Sequence, residues 1–347
     1  MSAVMPLLDE LAGSASIQTG ICLCLPGMRV AELASRAAIL EAATSPKPGL
    51  VCIDGNGAHS DMDYPLFVRS AKALRPYFAK AHALGWATYR LAPGQAFARL
   101  RPLGIRAEQC MLQATSGVNT HKGLIFSMGL FCAVVGRLSR SMSEQGVSEA
   151  RVRSEAALLV RGLVQRDFAH LAEERKVLGG SLRTQILLPV GLGASLQRVP
   201  RAVRPALEAR LQRKLTAGEV LYLLYGITGI RGEAEQGFPH VGLGLQALEA
   251  HGAGRDLNTA MVHCLLELMQ SMDDTNILWR GGAHGLHHAA GAARSALAAG
   301  GLCTPAGQEA LRRMSVDFAQ RRLSPGGCAD MLAVSVFLYL LRLHGRG

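Results

Sequence analysis

Residues 124–138 carry a single charge, Arg137, and follow directly on the polar stretch Thr115-Ser116-Gly117-Val118-Asn119-Thr120-His121-Lys122-Gly123. Gly129 and Gly136 interrupt the run, which is shorter than the ~20 apolar residues of a membrane span. The pattern predicts a buried core helix entered through a Gly-bounded loop. Such a helix start leaves backbone N–H groups unpaired and carries the positive end of the helix dipole. With Lys122 beside it, it is a natural anion site, suited to a phosphate. The GxxxxGK[ST] spacing of a P-loop is absent. The plainer alternative is a polar helix start capped by Ser116 or Thr120.

The chain has 347 residues, 49% of them hydrophobic but only 5% aromatic, and its β-branched runs are short. This favours helices over sheets. Helical spacing of apolar residues recurs at about 29–43, 64–84, 123–139, 148–172, 217–226, 240–252, 257–272, 284–300, 305–322 and 328–343, while 85–104 reads as irregular. The expected architecture is all-α: a single helical domain over 29–345, after an N-terminal extension 1–28, with Gly-rich polar loops at the helix ends forming one site. Eight scattered cysteines without a CxxC signal neither a zinc site nor a disulfide framework. With no signal-peptide pattern, the reading is a cytoplasmic chain that meets no membrane.

The formal net charge is +11, and residues 171–215 hold nine Lys/Arg against three Glu. Glycines and prolines punctuate this segment, which reads as a mobile basic insertion or a solvated surface. No aromatic residue interleaves with its bases to stack on nucleotides, which argues against nucleic acid.

Six loops carry candidate chemistry. In Ser45-Pro46-Lys47-Pro48-Gly49, two prolines hold Lys47 on a stiff backbone. In Gly57-Ala58-His59-Ser60-Asp61-Met62-Asp63, alternation puts His59, Asp61 and Asp63 on one side, for a divalent cation or a base and its orienting partner; Asp63 also suits a helix cap. The 115–123 loop adds Asn119, Thr120, His121 and Lys122. In 229–237, Arg231 stands beside Glu233 and Glu235, which diverge by about 200° on a helix, so that one faces a site while the other is structural. Asp273-Asp274-Thr275-Asn276, leading to Arg280, follows the 257–272 helix. Acids at that C-terminal end oppose the dipole and suggest a bound cation or arginine. Last, Ser324-Pro325-Gly326-Gly327 opens a helix that bears Asp330 in its first turn.

The loops thus offer cations, carboxylates and neutral hydrogen-bonders, with no activated serine or cysteine and no redox motif. That inventory suits a highly phosphorylated substrate with Mg²⁺ and one general base. Gly242-x-Gly244-x-x-Ala247 lacks the βαβ context of a dinucleotide fingerprint. His284, His287 and His288 have helical spacing for a metal pair at best.

In order, Ser45-Pro-Lys-Pro-Gly-Leu-Val51, Gly57-Ala-His-Ser-Asp-Met62, 115–123, Arg231-Gly-Glu-Ala-Glu235, Asp274-Thr-Asn276 with Arg280-Gly-Gly282, and Ser324-Pro-Gly-Gly327 with Ala329-Asp330 resemble the triphosphoribosyl-dephospho-coenzyme A synthase family. The resemblance spans about 30–340. It departs from the family pattern at Cys52-Ile53, where an acidic and basic pair is usual, and in the length of 171–215.

The resemblance implies a transferase with two substrates, ATP and 3′-dephospho-CoA. The 2′-hydroxyl of dephospho-CoA attacks C1″ of the ATP ribose and adenine leaves. The product is the prosthetic-group precursor for the acyl carrier subunit of citrate lyase or malonate decarboxylase. That apo-subunit, or the phosphoribosyl-dephospho-CoA transferase that serves it, is then a candidate protein partner.

On this reading Glu233 or Glu235 is the base, and His121 hydrogen-bonds a phosphate or the leaving adenine. Lys47, Lys122, Arg231 and Arg280 grip phosphates, with His59, Asn119, Thr120, Asn276, Ser324 and Asp330 as further substrate contacts. Asp274, with Asp61, holds Mg²⁺. Two other readings stay open: a nucleotide or ADP-ribose-type glycohydrolase, in which water is the acceptor, and a basic scaffold for an acidic carrier protein.

Overall fold

The computed structural model describes residues 20–141, 146–177, 200–252 and 256–344. It begins with a two-residue strand β1 (Ile21–Cys22), antiparallel to β2 (Gly146–Val147), with Ile21 opposite Val147. Two residues a side leave no alternation to read, so no sequence pattern announces this ribbon. The other main elements of the described chain are helices: α1 (Gly27–Ala43), α2 (Tyr64–Ala87), α3 (Pro93–Ala114), α4 (Lys122–Ser141), α5 (Glu149–Val160), α6 (Leu163–Phe168), α7 (Ala172–Val177), α8 (Pro200–Leu211), α9 (Ala217–Tyr225), α10 (Ile230–Glu235), α11 (Pro239–Gly252), α12 (Leu257–Ser271), α13 (Thr275–Ala298), α14 (Pro305–Arg321) and α15 (Gly326–Leu343). The all-α expectation is met.

Three local expectations are not. Residues 93–104, read as irregular, belong to a regular helix that runs on to Ala114. Pro93 takes the first helical position, where no N–H is needed, and Pro102 lies on the exposed face, where water reaches the carbonyl it leaves unpaired. The 148–172 pattern is broken at Arg161-Gly162, because Gly162 adopts φ 78°. The basic segment, in its described parts, is helical: α7 and α8 with α6 and α9 enclose a second small core of Phe168, Leu171, Val203, Leu207, Leu215, Val220 and Leu223, and Trp279 of α13 packs on it. Residues 178–199 and 1–19 lie outside the described chain.

The main core is built where α2 crosses α4 and α1, and α15 threads between α1 and α11. Among the described residues two helices are long and apolar enough to cross a membrane, α4 and α15, and their apolar windows are 78% and 67% buried inside the bundle. Burial, rather than length, accounts for α4. The α2–α4 crossing depends on Gly85: a Cβ there would lie 1.9 Å from the Ala133 carbonyl oxygen. Gly85→Ala is therefore expected to destabilise the protein by about 1–3 kcal/mol in urea unfolding, by forcing two backbones apart. Gly94→Ala, where a Cβ meets nothing within 4 Å, serves as the control and is expected to be neutral or stabilising.

Candidate active site

The six loops, distant in sequence, converge on one cavity of about 670 Å³ at the ends of α1, α4, α10, α12, α13 and α15. Its floor is a buried cluster of charge. Lys47 is clasped by Glu41, through both the side chain and the carbonyl of that residue, with side-chain exposures of 1% and 6%. Burial pushes the Glu41 carboxyl up, and the Lys47 ammonium pulls it back only in part. Glu41 has no distinguishing motif around it. Its one sequence signal is a carboxylate on the buried face of an Ala/Leu-rich helix, and it goes unnoticed without the fold.

Asp330 joins this cluster from α15. The Leu124 N–H donates to its carboxyl, so the N-terminus of α4, expected to hold a phosphate, is filled by the protein's own acid. Gly123 makes room for it: a Cβ there would lie 2.0 Å from Asp330 Oδ2. Burial raises the Asp330 carboxyl well above the usual range, and the nearby charges of Glu41 and Asp274 raise it further.

His121 lies on the same floor. Its Nδ1 is 2.7 Å from Ser70 Oγ, and Ser70 accepts from Thr120 Oγ1 at 2.7 Å. Phe67 meets the ring edge-on at 4.9 Å. Burial, with the charge of Lys47, brings the imidazole down to about 3, so it is neutral at pH 7. The hydroxyl chain favours the tautomer in which Nδ1 accepts and Nε2 carries the proton, and that buried Nε2 has no partner.

One wall is Glu233, in the first turn of α10. Its Oε1 accepts from the His240 N–H at 2.9 Å and its Oε2 lies 2.7 Å from His240 Nδ1. The hydrogen bond to Glu233 raises the His240 imidazole, and the Ser271 carbonyl and the Asp273 charge add to this. Sequence reading missed His240, a lone histidine after a proline.

The rim holds His59, whose Nε2 is 2.9 Å from Ser324 Oγ, with Asp61 3.9 Å from its Nδ1. Burial and the charge of Arg280 lower the His59 imidazole. Asn276 and Arg280 stand one turn apart on α13 and both face the cavity. Burial lowers the Arg280 guanidinium, with Arg201 of basic helix α8 close enough to repel it. Asn119 and Thr120 also line the cavity; Asn119 Oδ1 accepts from the Lys122 N–H at 3.3 Å. The Lys122 ammonium sits at the mouth against Glu108, its side chain 61% exposed.

Three expected residues do not reach the cavity. Glu235 turns away, its Oε1 accepting from Val164 N at 3.2 Å, as the ~200° divergence from Glu233 requires. Arg231 points to the second core, bonding Asp167 at 2.6 Å over the Phe168 ring. Asp274 is fully buried and accepts three backbone N–H groups, from Asn276 (2.8 Å), Ile277 (3.1 Å) and Cys328 (2.8 Å). The chain turns so sharply after α12 that Asp274 caps the next helix instead of opposing the dipole of the last one. Its carboxylate thus serves the backbone at the starts of α13 and α15. Asp63 likewise caps α2 through Leu66 N. His284, His287 and His288 lie outside the cavity, and His288 bonds Asp317.

A family model described as ATP:dephospho-CoA triphosphoribosyl transferase matches residues 27–347. A probable 2-(5″-triphosphoribosyl)-3′-dephosphocoenzyme-A synthase of Vibrio cholerae is 36% identical over 345 residues, covering 98% of this chain and 96% of its own. A counterpart from Salmonella typhi is 37% identical over 310 residues, 88% of each chain. The 2-(5″-triphosphoribosyl)-3′-dephosphocoenzyme-A synthase of Klebsiella pneumoniae is 35% identical over 319 residues, 90% of this chain and 91% of its own. No solved structure matches. With the ordered motifs meeting at one cavity, the chain belongs to the ATP:dephospho-CoA triphosphoribosyl transferase family, and it is a transferase.

Proposed function

We propose that this cavity transfers the 5-triphosphoribosyl group of ATP to the 2′-hydroxyl of 3′-dephospho-CoA and releases adenine. The observation that carries the reading is the convergence of the family's motif residues, from six loops, on one polar pocket with carboxylates inside and cations at its mouth. The triphosphate is kept, so it is gripped and not cleaved. Arg280 and Lys122 at the rim supply charge for it, with Asn276, Asn119 and Thr120 as neutral contacts. Lys47 is committed to Glu41 and serves the floor instead.

Glu233 is the base for the 2′-hydroxyl. An ionised carboxylate has about four acceptor positions, and His240 uses two, so a substrate hydroxyl can still be received. The same negative charge stabilises the oxocarbenium character that builds at C1″ as adenine leaves. His121, neutral and with its Nε2–H unpaired, donates a hydrogen bond to a phosphate oxygen or to the adenine ring.

Among the described residues no three His, Cys, Asp or Glu side chains gather to hold a metal. That donor set fits Mg²⁺ arriving with the triphosphate as part of the substrate, with Asp61 as a carboxylate at the rim to receive it. The product would serve the acyl carrier subunit of citrate lyase or malonate decarboxylase.

The test is incubation with ATP and dephospho-CoA, following free adenine and the added triphosphoribosyl mass by mass spectrometry. Adenine release that requires dephospho-CoA is the expected result. Release with water alone favours a glycohydrolase, and no release with either favours a scaffold.

A further inference from the structure

We infer that Asp330 is the general acid of the transfer, delivering the proton that lets adenine leave. The inference rests on the transfer reading above and adds the half of the proton traffic that Glu233 does not supply. As the C1″–N9 bond breaks, its electron pair goes to the purine, which must gain a proton to depart as neutral adenine. As the C1″–O2′ bond forms, the hydroxyl proton passes to Glu233. One group gains a proton and another loses one, and exchange with solvent resets both before the next turnover.

The cavity offers few donors for this. His121 is neutral, and a neutral imidazole donates a hydrogen bond but is far too weak an acid to give its proton up. His240 is bound to Glu233. Lys47 is buried against Glu41. Asp330 is different. It lines the cavity and keeps part of its surface open to it. The groups that face it are Glu41 from α1, with Lys47 clasping Glu41 from the following loop, Asp274 ahead of α13, and the Leu124 N–H at the start of α4.

Lys47 offsets the charge of Glu41 and three backbone N–H groups support that of Asp274, so of the three carboxyls Asp330 has the least support for a charge and is the one suited to keep a proton. One carboxyl oxygen accepts from Leu124 N, and the hydroxyl is left for the substrate. Two acids in one pocket, Glu233 held by His240 and Asp330 set among Glu41 and Asp274, divide the base and acid roles.

Asp330→Asn keeps the shape and the neutral charge but has no acidic proton. With wild-type enzyme releasing adenine from ATP and dephospho-CoA, the variant is expected to lose roughly 10²-fold or more in kcat while ATP still binds. The 5′-triphosphate of nicotinamide riboside is the discriminating substrate, because its base leaves already neutral and needs no acid. Turnover of that compound by Asp330→Asn is expected to stay within about tenfold of wild type, well short of the loss an absent acid causes. Equal loss on both substrates, or no loss on ATP, overturns the proposal.

Should Asp330→Asn not fold, or wild type refuse the analogue, Glu41→Gln decides. It removes the anion beside Asp330 and frees Lys47, and both changes favour ionised Asp330. The alkaline limb of the kcat–pH profile must then move to lower pH; an unmoved limb overturns the proposal. Failure of wild type to release adenine at all would instead overturn the transfer reading.

Discussion

Glu233→Gln is expected to lower adenine release by roughly 10²–10⁴-fold, the contribution of a positioned general base, while ATP binding persists. The amide keeps the size of the side chain, and its oxygen still accepts from His240 N, so the α10–α11 corner is retained. What is lost is the acceptor for the 2′-hydroxyl proton and the negative charge facing C1″. Single-turnover adenine release, with ATP binding measured separately, is the appropriate assay. Near-normal turnover would remove Glu233 from the base role. Glu235→Gln gives the contrast: its carboxylate holds Val164 N outside the cavity, so its loss should appear in stability before it appears in rate.

The contrast between those two glutamates shows what was legible in the sequence. Their spacing fixed that they diverge, but not which one faces inward. That depends on Arg231 and Glu235 both turning to α6 and the second core, a tertiary fact. Each ordered loop motif sends residues to the cavity, because each is a polar Gly-rich interruption between apolar helices.

What stayed hidden falls into three kinds. Glu41 and His240 have no motif, and only packing brings them to Lys47 and Glu233. Asp274 departs from the dipole-opposing role because the chain turns tightly there: only Met272, Asp273 and Asp274 separate α12 from α13, so the last of them caps the next helix. The 93–114 helix was obscured by Pro102, which is tolerated only because it faces water.

Lys47→Met is expected to cost about 3–5 kcal/mol of stability at pH 8, the usual penalty for stranding one member of a buried ion pair, and distinctly less at pH 5. The pH dependence follows from Glu41. Its carboxyl is already held above the ordinary value of 4.5 by burial, with Lys47 as the opposing influence. Removing Lys47 raises it further. A carboxyl whose folded value lies above its unfolded one binds more protons in the folded state, so stability is full below about 4.5 and is lost as pH rises toward the folded value. The variant's deficit must therefore grow from pH 5 to pH 8.

Urea unfolding at the two pH values measures it, and an equal deficit at both would mean that lost packing, not stranded charge, is the cause. Adding Glu41→Gln to Lys47→Met should recover much of the loss at pH 8, since a neutral pair replaces the lone anion. The same series separates Lys47 from the phosphate clamp: a lysine whose ammonium is consumed by Glu41 can be lost with little change in ATP affinity once fold is restored by the second substitution, whereas a true phosphate ligand would take that affinity with it.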